Sequence, residues 1–364
     1  MRSKKKIAFL LPSLGAGGAE RVGVLLANKF SDKFNVFLIA FTKAKAIYKV
    51  NDNVQLIYLQ DTFSHSVSFF QAIRNNFFLL KKVVKIIRLN KIDILIGFTT
   101  NVNIITVLCA YFLRIPNIIS ERNNPKVYVP NFFWRNLRNL TYHLTDGLVV
   151  QTEFINDFYK NIISNRKIIT IPNPIDESVS SSRLVYKERE NIILTVGRLD
   201  SNKNQKMLIE AFANLNVDGW KLVIVGDGIL KDEYVELVIS LGIDHRVDFV
   251  GNVQNVWDYY NQAKIFAFTS NSEGFPNALL EAMSFGLPCI STDCPSGPSE
   301  IILNDENGYL IEMGNIEQLE DRLSILMHNP DICDQFSKKA MASTKKFSMA
   351  EVKKLWEVQI QKIL

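Results

Sequence analysis

The sequence is poor in the residues that build metal sites and disulfide frameworks. Its 364 residues include only four histidines, which are scattered, and four cysteines. No CxxC pair occurs among Cys109, Cys289, Cys294 and Cys333. A structural zinc site or a disulfide framework is therefore disfavoured, and core cysteines in a reducing cytoplasm are the better interpretation.

The sequence also lacks a long apolar run. The longest candidate, residues 102–113, contains Asn103 and is shorter than the about 20 residues of a membrane-spanning helix. The basic start before the apolar run IAFLL is similar to a signal peptide, but Pro12 ends that run and a helix pattern follows. A first β-strand of a cytoplasmic protein is the simpler interpretation.

Positive and negative charges are separated along the chain, although the formal net charge is +5. Residues 1–172 hold 24 Lys/Arg and 9 Asp/Glu, whereas residues 173–364 hold 18 and 28. The basic first half suits phosphates, nucleic acid or an anionic membrane as a partner. Nucleic acid is disfavoured, because neither a recognition module nor interleaved aromatic and basic residues occur.

Short apolar strands alternate with helical stretches, which predicts an α/β fold of two Rossmann-like domains with parallel sheets. The first domain is predicted in residues 1–172, a linker in 173–190 and the second domain in 191–346. The last helix, within residues 347–364, is expected to pack back toward the first domain. A ligand is expected in a cleft that both sheets face, at the carboxyl ends of their strands.

The turn SLGAGGAERV, Ser13–Val22, follows the first predicted strand and opens a helix. A dinucleotide fingerprint requires glycine or alanine where this chain has Glu20, and an acid where it has Lys43 and Lys45. A nicotinamide cofactor is therefore disfavoured. The glycines still allow close backbone approach, and the free N–H groups of the helix favour an anion. A plain tight turn is the alternative.

The run TVGRLDSNKNQ follows a predicted strand of the second domain. Gly197 lets the turn tighten, and Arg198 and Lys203 then lie near the start of a helix. A fork-shaped guanidinium and an ammonium group beside a helix N-terminus suit a diphosphate. A solvated loop is the alternative interpretation.

The run NSEGFPNALLEAMSFGLP places Glu273 and Glu281 eight positions apart, with Pro276 in the first turn of a helix. At helical rise the two carboxylates are about 12 Å apart, which exceeds the roughly 5–9.5 Å of paired glycosidase carboxylates. The spacing suits two hydroxyl-bearing parts of one elongated ligand, such as the two sugars of a nucleotide sugar. Ordinary helix acids are the alternative.

Several motifs together resemble glycosyltransferase family 4, the retaining nucleotide-sugar transferases of GT-B architecture. They are GAGGAERV, SERNNP, IPNPID, GRLDSNKN, VGDGIL and E-x7-E, in the order and spacing of that family. The resemblance covers essentially the whole chain and implies a hexosyltransferase that needs no metal or other cofactor. It also implies that the first domain binds the acceptor and the second the nucleotide sugar, with UDP as the favoured nucleotide.

The resemblance further implies how the donor diphosphate is held. Gly17 and Gly18 would border it, and Arg198 and Lys203 would neutralise it as it leaves. An acceptor hydroxyl would attack from the same face and pass its proton to the departing phosphate oxygen. This implies that no conventional base is required.

Both sugars of the donor are assigned to glutamates by the same resemblance. Glu281 would hold the ribose hydroxyls, and Glu273 would hold the transferred sugar and act in catalysis with the two cations. The remaining implied donor contacts are the backbone N–H groups of Phe275, Pro276 and Asn277, and base contacts near Gly251 and Val253.

One departure from the family occurs in SERNNP, Ser120–Pro125. Many relatives place there a histidine that hydrogen-bonds the donor sugar, and this chain has Arg122. A guanidinium does not act as a base near neutral pH. Glu121 or Arg122 is therefore expected to orient the acceptor or the donor sugar, and a catalytic histidine is not predicted.

The motifs are similar to those of bacterial enzymes that extend lipid-linked saccharides for O-antigen, capsule or protein glycans. The helix predicted around residues 69–91 contains six Lys/Arg and no acid. Four of these cations share one side, called the basic stripe below: Arg74, Lys81, Lys85 and Arg88. The same spacing predicts a core-facing apolar stripe of Ile73, Leu80, Val84 and Ile87. The basic stripe suits anionic headgroups or a lipid diphosphate, and a merely solvated face is the alternative.

The expected activity is transfer of a hexose or N-acetylhexosamine from a nucleotide sugar to a saccharide linked to undecaprenyl diphosphate. The expected place is the inner face of the cytoplasmic membrane, with peripheral attachment. One alternative is a nucleotide-sugar-binding protein without turnover, and another is an epimerase or hydrolase of the same fold. Product analysis with and without a lipid-linked acceptor separates these functions.

Overall fold

The computed structural model of the chain describes residues 4–15, 17–44, 46, 48–61, 69–184, 188–215 and 217–364, so Lys45 lies outside the described residues. The chain forms two compact units. The first comprises residues up to Pro174 together with Ala350–Leu364, and the second comprises Ile175–Met349. Each unit contains a parallel sheet with helices, so the predicted α/β class with two parallel-sheet domains is confirmed.

The described part of the first unit contains a seven-stranded sheet. Its strands are β1 (Lys6–Leu11), β2 (Asn35–Thr42), β3 (Gln55–Gln60), β4 (Ile94–Phe98), β5 (Asn117–Ser120), β6 (Gly147–Val150) and β7 (Ile168–Thr170). They lie in the order β3-β2-β1-β4-β5-β6-β7, and neighbours pair in parallel. The continuous apolar runs of β1 and β4 are buried because a parallel sheet is covered on both faces.

The helices that connect these strands are α1 (Gly18–Phe30), α2 (Phe69–Asn90), α3 (Thr100–Leu113), α4 (Phe132–Tyr142) and α5 (Glu153–Lys160). Helices α2 to α5 connect β3 to β4 and then each following strand in the same direction across the sheet. Right-handed crossovers therefore place these four helices on one face of the sheet and α1 on the other. The face formed by α2, α3 and α4 is called the outer layer below.

One residue of the core-facing stripe predicted for helix α2 does not face the core. Ile87 is buried, and Leu80 and Val84 pack half-buried against the same core, but Ile73 is 39% exposed. The helix has 22 residues, about 33 Å at helical rise, whereas the six residues of β3 span about 20 Å. We attribute the exposure of Ile73 to this difference in length, which carries the first turns of α2 past the sheet.

The described part of the second unit contains a six-stranded sheet. Its strands are β8 (Glu190–Val196), β9 (Lys221–Val225), β10 (Val247–Gly251), β11 (Ala263–Phe268), β12 (Cys289–Thr292) and β13 (Tyr309–Ile311). They lie in the order β10-β9-β8-β11-β12-β13, with parallel neighbours. The helices are α6 (Glu177–Ser181), α7 (Gln205–Leu215), α8 (Lys231–Ser240), α9 (Val256–Gln262), α10 (Asn277–Ser284), α11 (Pro298–Ile301), α12 (Ile316–His328) and α13 (Pro330–Thr344).

The final helix, α14 (Met349–Ile363), returns to the first unit from Ala350 onward. Val352, Trp356 and Ile360 are fully buried in the core that also contains β1 and β4. The indole of Trp356 stacks on Phe98, with ring centroids 6.1 Å apart. The chain therefore completes the core of its first unit with its last residues.

Two further sequence expectations concern cysteines and membrane spans. Cys109, Cys289 and Cys294 are buried free thiols, and Cys333 is a half-buried one. Within the described part of the chain, no helix combines the length and apolar character needed to cross a bilayer.

Candidate active site

Two loops meet at the carboxyl edge of the second sheet. Strands β8 and β11 are adjacent and parallel, so the loops after them, residues 197–204 and 269–276, leave the sheet side by side. The Asn202 side-chain amide donates to the carbonyl oxygen of Ser272 at 2.8 Å. The backbone N–H of Asn271 donates to the Asn202 carbonyl oxygen at 2.7 Å. These bonds hold the two loops together, and we call them the loop pair.

The loop pair brings Lys203 and Glu273 into direct contact. The Lys203 Nζ lies 2.6 Å from Glu273 Oε1, and the two side chains are 18% and 9% exposed. The backbone N–H of Lys203 donates to Asp200 Oδ1 at 3.0 Å, which fixes the base of the lysine. Its Nζ also lies over the ring of Phe268, 5.1 Å from the centroid. A half-buried ammonium and a buried carboxylate are thus placed at one edge of the sheet.

Arg198 lies on the same loop as Lys203 but is open to solvent. Its side chain is 71% exposed, and its Nη2 lies 3.4 Å from Asp200 Oδ2. Its carbonyl oxygen accepts a hydrogen bond from the Gln205 side chain at 2.9 Å, so the backbone is fixed while the guanidinium extends outward. The two cations predicted for a diphosphate therefore differ in burial.

The VGDG turn after β9 packs on the loop that carries Arg198. A Cβ atom on Gly226 would collide with the carbonyl oxygen of Gly197, and one on Gly228 would collide with that of Leu199. The backbone N–H of Gly226 donates to the Gly251 carbonyl oxygen at 2.9 Å. Glycine is required because three backbone segments approach one another closely at this edge.

Glu281 lies on helix α10, where it is buried beside Tyr260 of α9. The Tyr260 hydroxyl donates to Glu281 Oε2 at 3.2 Å, and it is also 3.3 Å from the carbonyl oxygen of Ala278. Helix α10 begins at Asn277, so Glu273 precedes it and is not helical. The predicted helical spacing of the two glutamates was therefore wrong, because residues 273–276 form a loop and only residues 277–281 are helical.

The segment Phe275–Asn277 differs from its predicted role as three N–H donors. Proline has no backbone N–H, so Pro276 does not act as a donor. The backbone N–H of Asn277 already donates to the Phe275 carbonyl oxygen at 3.0 Å. The Phe275 ring is buried and meets Phe347 edge-on at 6.0 Å. The donor role that the resemblance implied for Pro276 was therefore wrong. Pro276 instead directly precedes the first residue of helix α10.

The predicted base contacts lie where β10 ends. Gly251 is the last residue of that strand and has a φ of +76°. Val253 is half-buried and packs on the core of the second unit. Their contact with a nucleotide base stays a prediction.

A loop that the sequence analysis did not single out supports the loop pair. It follows β12 and reads DCPSGP, Asp293–Pro298. The backbone N–H of Glu273 donates to the Pro295 carbonyl oxygen at 3.4 Å, and the Ser296 hydroxyl donates to that of Gly274 at 3.1 Å. The glycine and prolines of this loop were the available signal, because such clusters mark tight turns at strand ends.

In the first unit, Gly17 and Gly18 lie at the start of α1. A Cβ atom on Gly17 would collide with the carboxylate of Glu20. Burial raises the pKa of Glu20, although its hydrogen bonds, including one from Ser13, act in the opposite direction. The acid therefore folds back over the turn beside the helix N-terminus, and a diphosphate near Gly17 would meet it.

The close contact between α1 and its strand is made further along the helix. A Cβ atom on Gly23 would collide with the side chain of Leu11 on β1. A dinucleotide fingerprint places such a contact at the position of Glu20. Gly23 performs this packing role, and its identity as a glycine within a helix was the sequence signal.

Glu121 lies just after β5 and is fully enclosed by hydrogen-bond partners. Its carboxylate accepts from the Thr100 hydroxyl at 3.1 Å and from the Asn103 amide at 3.4 Å. The hydroxyl of Tyr142 is a third, very close donor. Burial raises the pKa of Glu121, and the hydrogen bonds from Tyr142 and Thr100 partly offset that rise. The side chain is thus committed to the protein interior, and its predicted role toward substrate stays a prediction.

Arg122 is also buried. Its Nη1 donates to Asn173 Oδ1 at 2.6 Å, and its guanidinium lies 5.2 Å from the Phe98 ring and 5.8 Å from the Trp356 ring. Burial lowers the pKa of Arg122 to about 9, and the nearby Glu121 charge opposes this. Its Nε and Nη2 have no hydrogen-bond partner within the described residues. A contact with substrate stays a prediction for this residue.

The basic stripe is exposed along α2, as predicted for all four of its residues. Three of them, Lys81, Lys85 and Arg88, border an open groove of about 640 Å³ with an apolar lining that includes Phe77 and Phe112. The Nζ of Lys81 lies 4.5 Å from the centroid of the Phe77 ring. The stripe therefore combines positive charge with accessible aromatic surface.

The described residues contain no cluster of three or more His, Cys, Asp or Glu side chains that could hold a metal ion. The charged groups of the loop pair are two cations and two carboxylates, and each cation is already close to one carboxylate.

Two units, each with a parallel sheet and helices, are the architecture of the GT-B glycosyltransferases. The Glycosyltransferase Family 4 model matches residues 16–179, and the model for Glycosyl transferases group 1 matches residues 177–342. The chain belongs to the glycosyltransferase family that these two models describe, and it is a glycosyltransferase.

Two proteins of Campylobacter jejuni are each 31% identical to this chain, over 96% of it and 97% of their own lengths. One is the "GalNAc-alpha-(1->4)-GalNAc-alpha-(1->3)-diNAcBac-PP-undecaprenol alpha-1,4-N-acetyl-D-galactosaminyltransferase". The other is the "N-acetylgalactosamine-N,N'-diacetylbacillosaminyl-diphospho-undecaprenol 4-alpha-N-acetylgalactosaminyltransferase". Among solved structures, Anabaena HepE in complex with UDP is similar, with a TM-score of 0.83 at 18% identity over 98% of this chain and all of that one.

Proposed function

We propose that this glycosyltransferase moves an N-acetylhexosamine or hexose from a UDP-sugar to a hydroxyl of a saccharide carried on undecaprenyl diphosphate. The observation that carries the proposal is the loop pair, which places Arg198 beside Asp200 and Lys203 beside Glu273 at a sheet edge. Two cations on one loop suit a diphosphate, and the Glu273 carboxylate next to Lys203 suits the hydroxyls of a sugar. The names of the two Campylobacter relatives add undecaprenol-linked saccharides and N-acetylgalactosamine as the first substrates to test.

The proposed reaction retains the configuration of the transferred sugar. The bond between the sugar C1 and the β-phosphate oxygen breaks, while the acceptor oxygen bonds to C1 from the same face. The acceptor proton passes to the departing phosphate oxygen, so the protein supplies no base. Arg198 and Lys203 stabilise the negative charge that develops on the leaving diphosphate. The product is UDP with a saccharide one sugar longer.

The test is a panel of nucleotide sugars incubated with a lipid-diphosphate saccharide and analysed by mass spectrometry. We expect one UDP-sugar to extend the acceptor by one residue, and the proton NMR spectrum of the product to show the anomeric configuration of the donor. Sugar released without acceptor extension would instead indicate a hydrolase. An inverted linkage would contradict the retaining mechanism.

The reaction is expected to be independent of divalent metal. The diphosphate charge is balanced in the proposal by Arg198 and Lys203, so chelation removes nothing that the chemistry uses. Turnover should be unchanged after dialysis against EDTA. The comparison is the same enzyme with Mg²⁺ or Mn²⁺ restored, and a loss in EDTA that either ion reverses would contradict this part of the proposal.

Glu281→Gln is expected to weaken UDP binding by about five- to tenfold. The change keeps the shape of the side chain but replaces a charged acceptor with a neutral one. A hydrogen bond to a charged group contributes about 1 kcal/mol more than one to a neutral group, which corresponds to this loss of affinity. Titration calorimetry with UDP and with its 2′,3′-dideoxy analogue measures the effect. The analogue should bind both proteins alike, because it lacks the ribose hydroxyls.

The control for this change is Glu236→Gln, an exposed acid on α8. It should leave the affinity for both nucleotides unchanged. If Glu281→Gln and wild type bind UDP equally, the ribose contact lies elsewhere.

We further propose that the outer layer of the first unit contacts the inner face of the cytoplasmic membrane. Residues 69–145 contain eleven Lys/Arg, of which only Arg122 and Arg138 are buried, and two acids, Asp93 and Glu121. Glu121 is buried, and Asp93 is bonded to Lys5 at 3.1 Å. The outer layer therefore presents positive charge to solvent with little opposing charge, which suits anionic headgroups.

Exposed aromatic side chains on the same layer support membrane contact. Phe77 is 51% exposed, Phe112 is 60% exposed, and Phe132 at the start of α4 is 73% exposed. Large rings next to Lys and Arg are typical of surfaces that enter the headgroup region. The basic stripe runs along the same layer, so charge and apolar surface can act together.

A further inference from the structure

Each cation of the proposed diphosphate site is already paired with a carboxylate of this chain. Lys203 contacts Glu273 at 2.6 Å, with both side chains largely buried. Arg198 contacts Asp200 at 3.4 Å and is 71% exposed. The Glu273 carboxylate takes one of the three N–H donors of Lys203 and offsets its charge, so a nucleoside diphosphate gains the full charge of Lys203 only when the ammonium turns away from Glu273. The site is therefore one in which a ligand anion and a protein anion compete.

We infer that Glu273 promotes release of the nucleoside diphosphate product by taking back Lys203 after the sugar has left. The inference rests on the proposed function and deepens it. With a nucleotide sugar bound, the Glu273 carboxylate accepts hydrogen bonds from the sugar, and Lys203 is free for the diphosphate. After transfer the sugar contacts are lost, and Glu273 turns to Lys203 again. The product then loses a cation that the donor had.

The geometry permits this exchange without movement of the loops. The bonds of Asn202 to Ser272 and of Asn271 to Asn202 hold the loop pair together next to the ion pair. The backbone N–H of Glu273 is anchored on Pro295 as well. Only the two side chains need to rotate, because their backbones are fixed.

Burial makes the competition strong at Lys203 and weak at Arg198. Charges in a water-poor environment interact more strongly than exposed ones, which solvent and salt screen. Glu273 should therefore control nucleotide affinity, whereas Asp200, facing the exposed Arg198, should control it little. This difference provides a matched control within one loop.

The test is the affinity for UDP and for the UDP-sugar that the enzyme uses, measured for wild type, Glu273→Gln and Asp200→Asn. We expect Glu273→Gln to bind UDP about tenfold more tightly and the UDP-sugar less tightly. Stopped-flow displacement of UDP should be slower by a similar factor. Asp200→Asn, which keeps an acceptor for the Lys203 N–H, should change the UDP affinity by less than about twofold.

A double-mutant cycle identifies Lys203 as the group through which Glu273 acts. In a Lys203→Met background, Glu273→Gln should no longer tighten UDP binding. Structural damage from Glu273→Gln would weaken UDP binding in both backgrounds. A gain in affinity that requires Lys203 therefore does not result from structural damage. Should Glu273→Gln fold poorly in a thermal melt, Glu273→Asp, whose carboxylate reaches Lys203 less closely, should give a smaller gain.

The outcomes separate the two proposals. Wild-type protein that binds neither UDP nor a UDP-sugar contradicts the proposed function itself. Wild-type protein that binds and transfers, combined with equal or weaker UDP binding by both Glu273 variants, overturns the release role and leaves the proposed function standing.

Discussion

Replacing Lys203 with methionine is expected to lower the turnover number by about 10²–10³-fold. Removing one preorganised donor that faces charge in the transition state costs about 2.7–4 kcal/mol. Lys203 meets that description because its ammonium is held at a sheet edge and only 18% exposed. Arg198→Ala should also lower turnover strongly, and less than Lys203→Met, because a guanidinium that is 71% exposed already shares its interactions with water.

Single-turnover kinetics with saturating donor measures this effect on chemistry. The control is Lys206→Met, which removes an exposed ammonium three residues further along. It should leave turnover close to that of wild type. Near-normal turnover in both Lys203→Met and Arg198→Ala would remove the diphosphate assignment.

Replacing all four residues of the basic stripe with glutamine is expected to release the protein from anionic vesicles. Each charge near an anionic surface contributes about 1 kcal/mol, so four charges correspond to about 10³-fold in the partition coefficient. Co-sedimentation with vesicles that contain anionic lipid measures this. Wild-type binding should also fall as salt is raised, because the attraction is screened.

The matched control changes four exposed lysines of the second unit to glutamine: Lys338, Lys339, Lys345 and Lys346. It removes the same charge and should sediment like wild type. The stripe variant should keep its activity on a short water-soluble acceptor, because the loop pair belongs to the other unit. If the stripe variant sediments with vesicles like wild type, the basic stripe is only a solvated face. Loss of both lipid binding and soluble activity would show a structural role for α2.

Much of the fold could be predicted because its signals are local. The apolar run of β1 and the glycine turn that opens α1 (Gly18–Phe30) are visible within a few residues. Strand β13, in contrast, has three residues, too few for a periodic pattern. Helix α6 lies in the predicted linker, where serine and charge indicate a loop.

The partners within the site could not be predicted in the same way. Lys203 and Glu273 are 70 positions apart, and they meet because β8 and β11 are neighbours in the sheet. Strand order is a property of the whole sheet, so no window of sequence contains it. The same applies to Tyr260 and Glu281, which lie on different helices. Motifs identified the charged residues, and only the fold shows which charges are already paired.

The return of α14 to the first unit has a consequence for synthesis on the ribosome. Residues up to Pro174 emerge first, yet the core around Phe98 stays open until Val352, Trp356 and Ile360 have been translated. The second unit is one continuous stretch of chain, so it can fold before the first unit is complete. The earliest-made unit is thus the last to be finished, and a premature stop codon before residue 350 would leave it with an uncovered apolar face that favours aggregation.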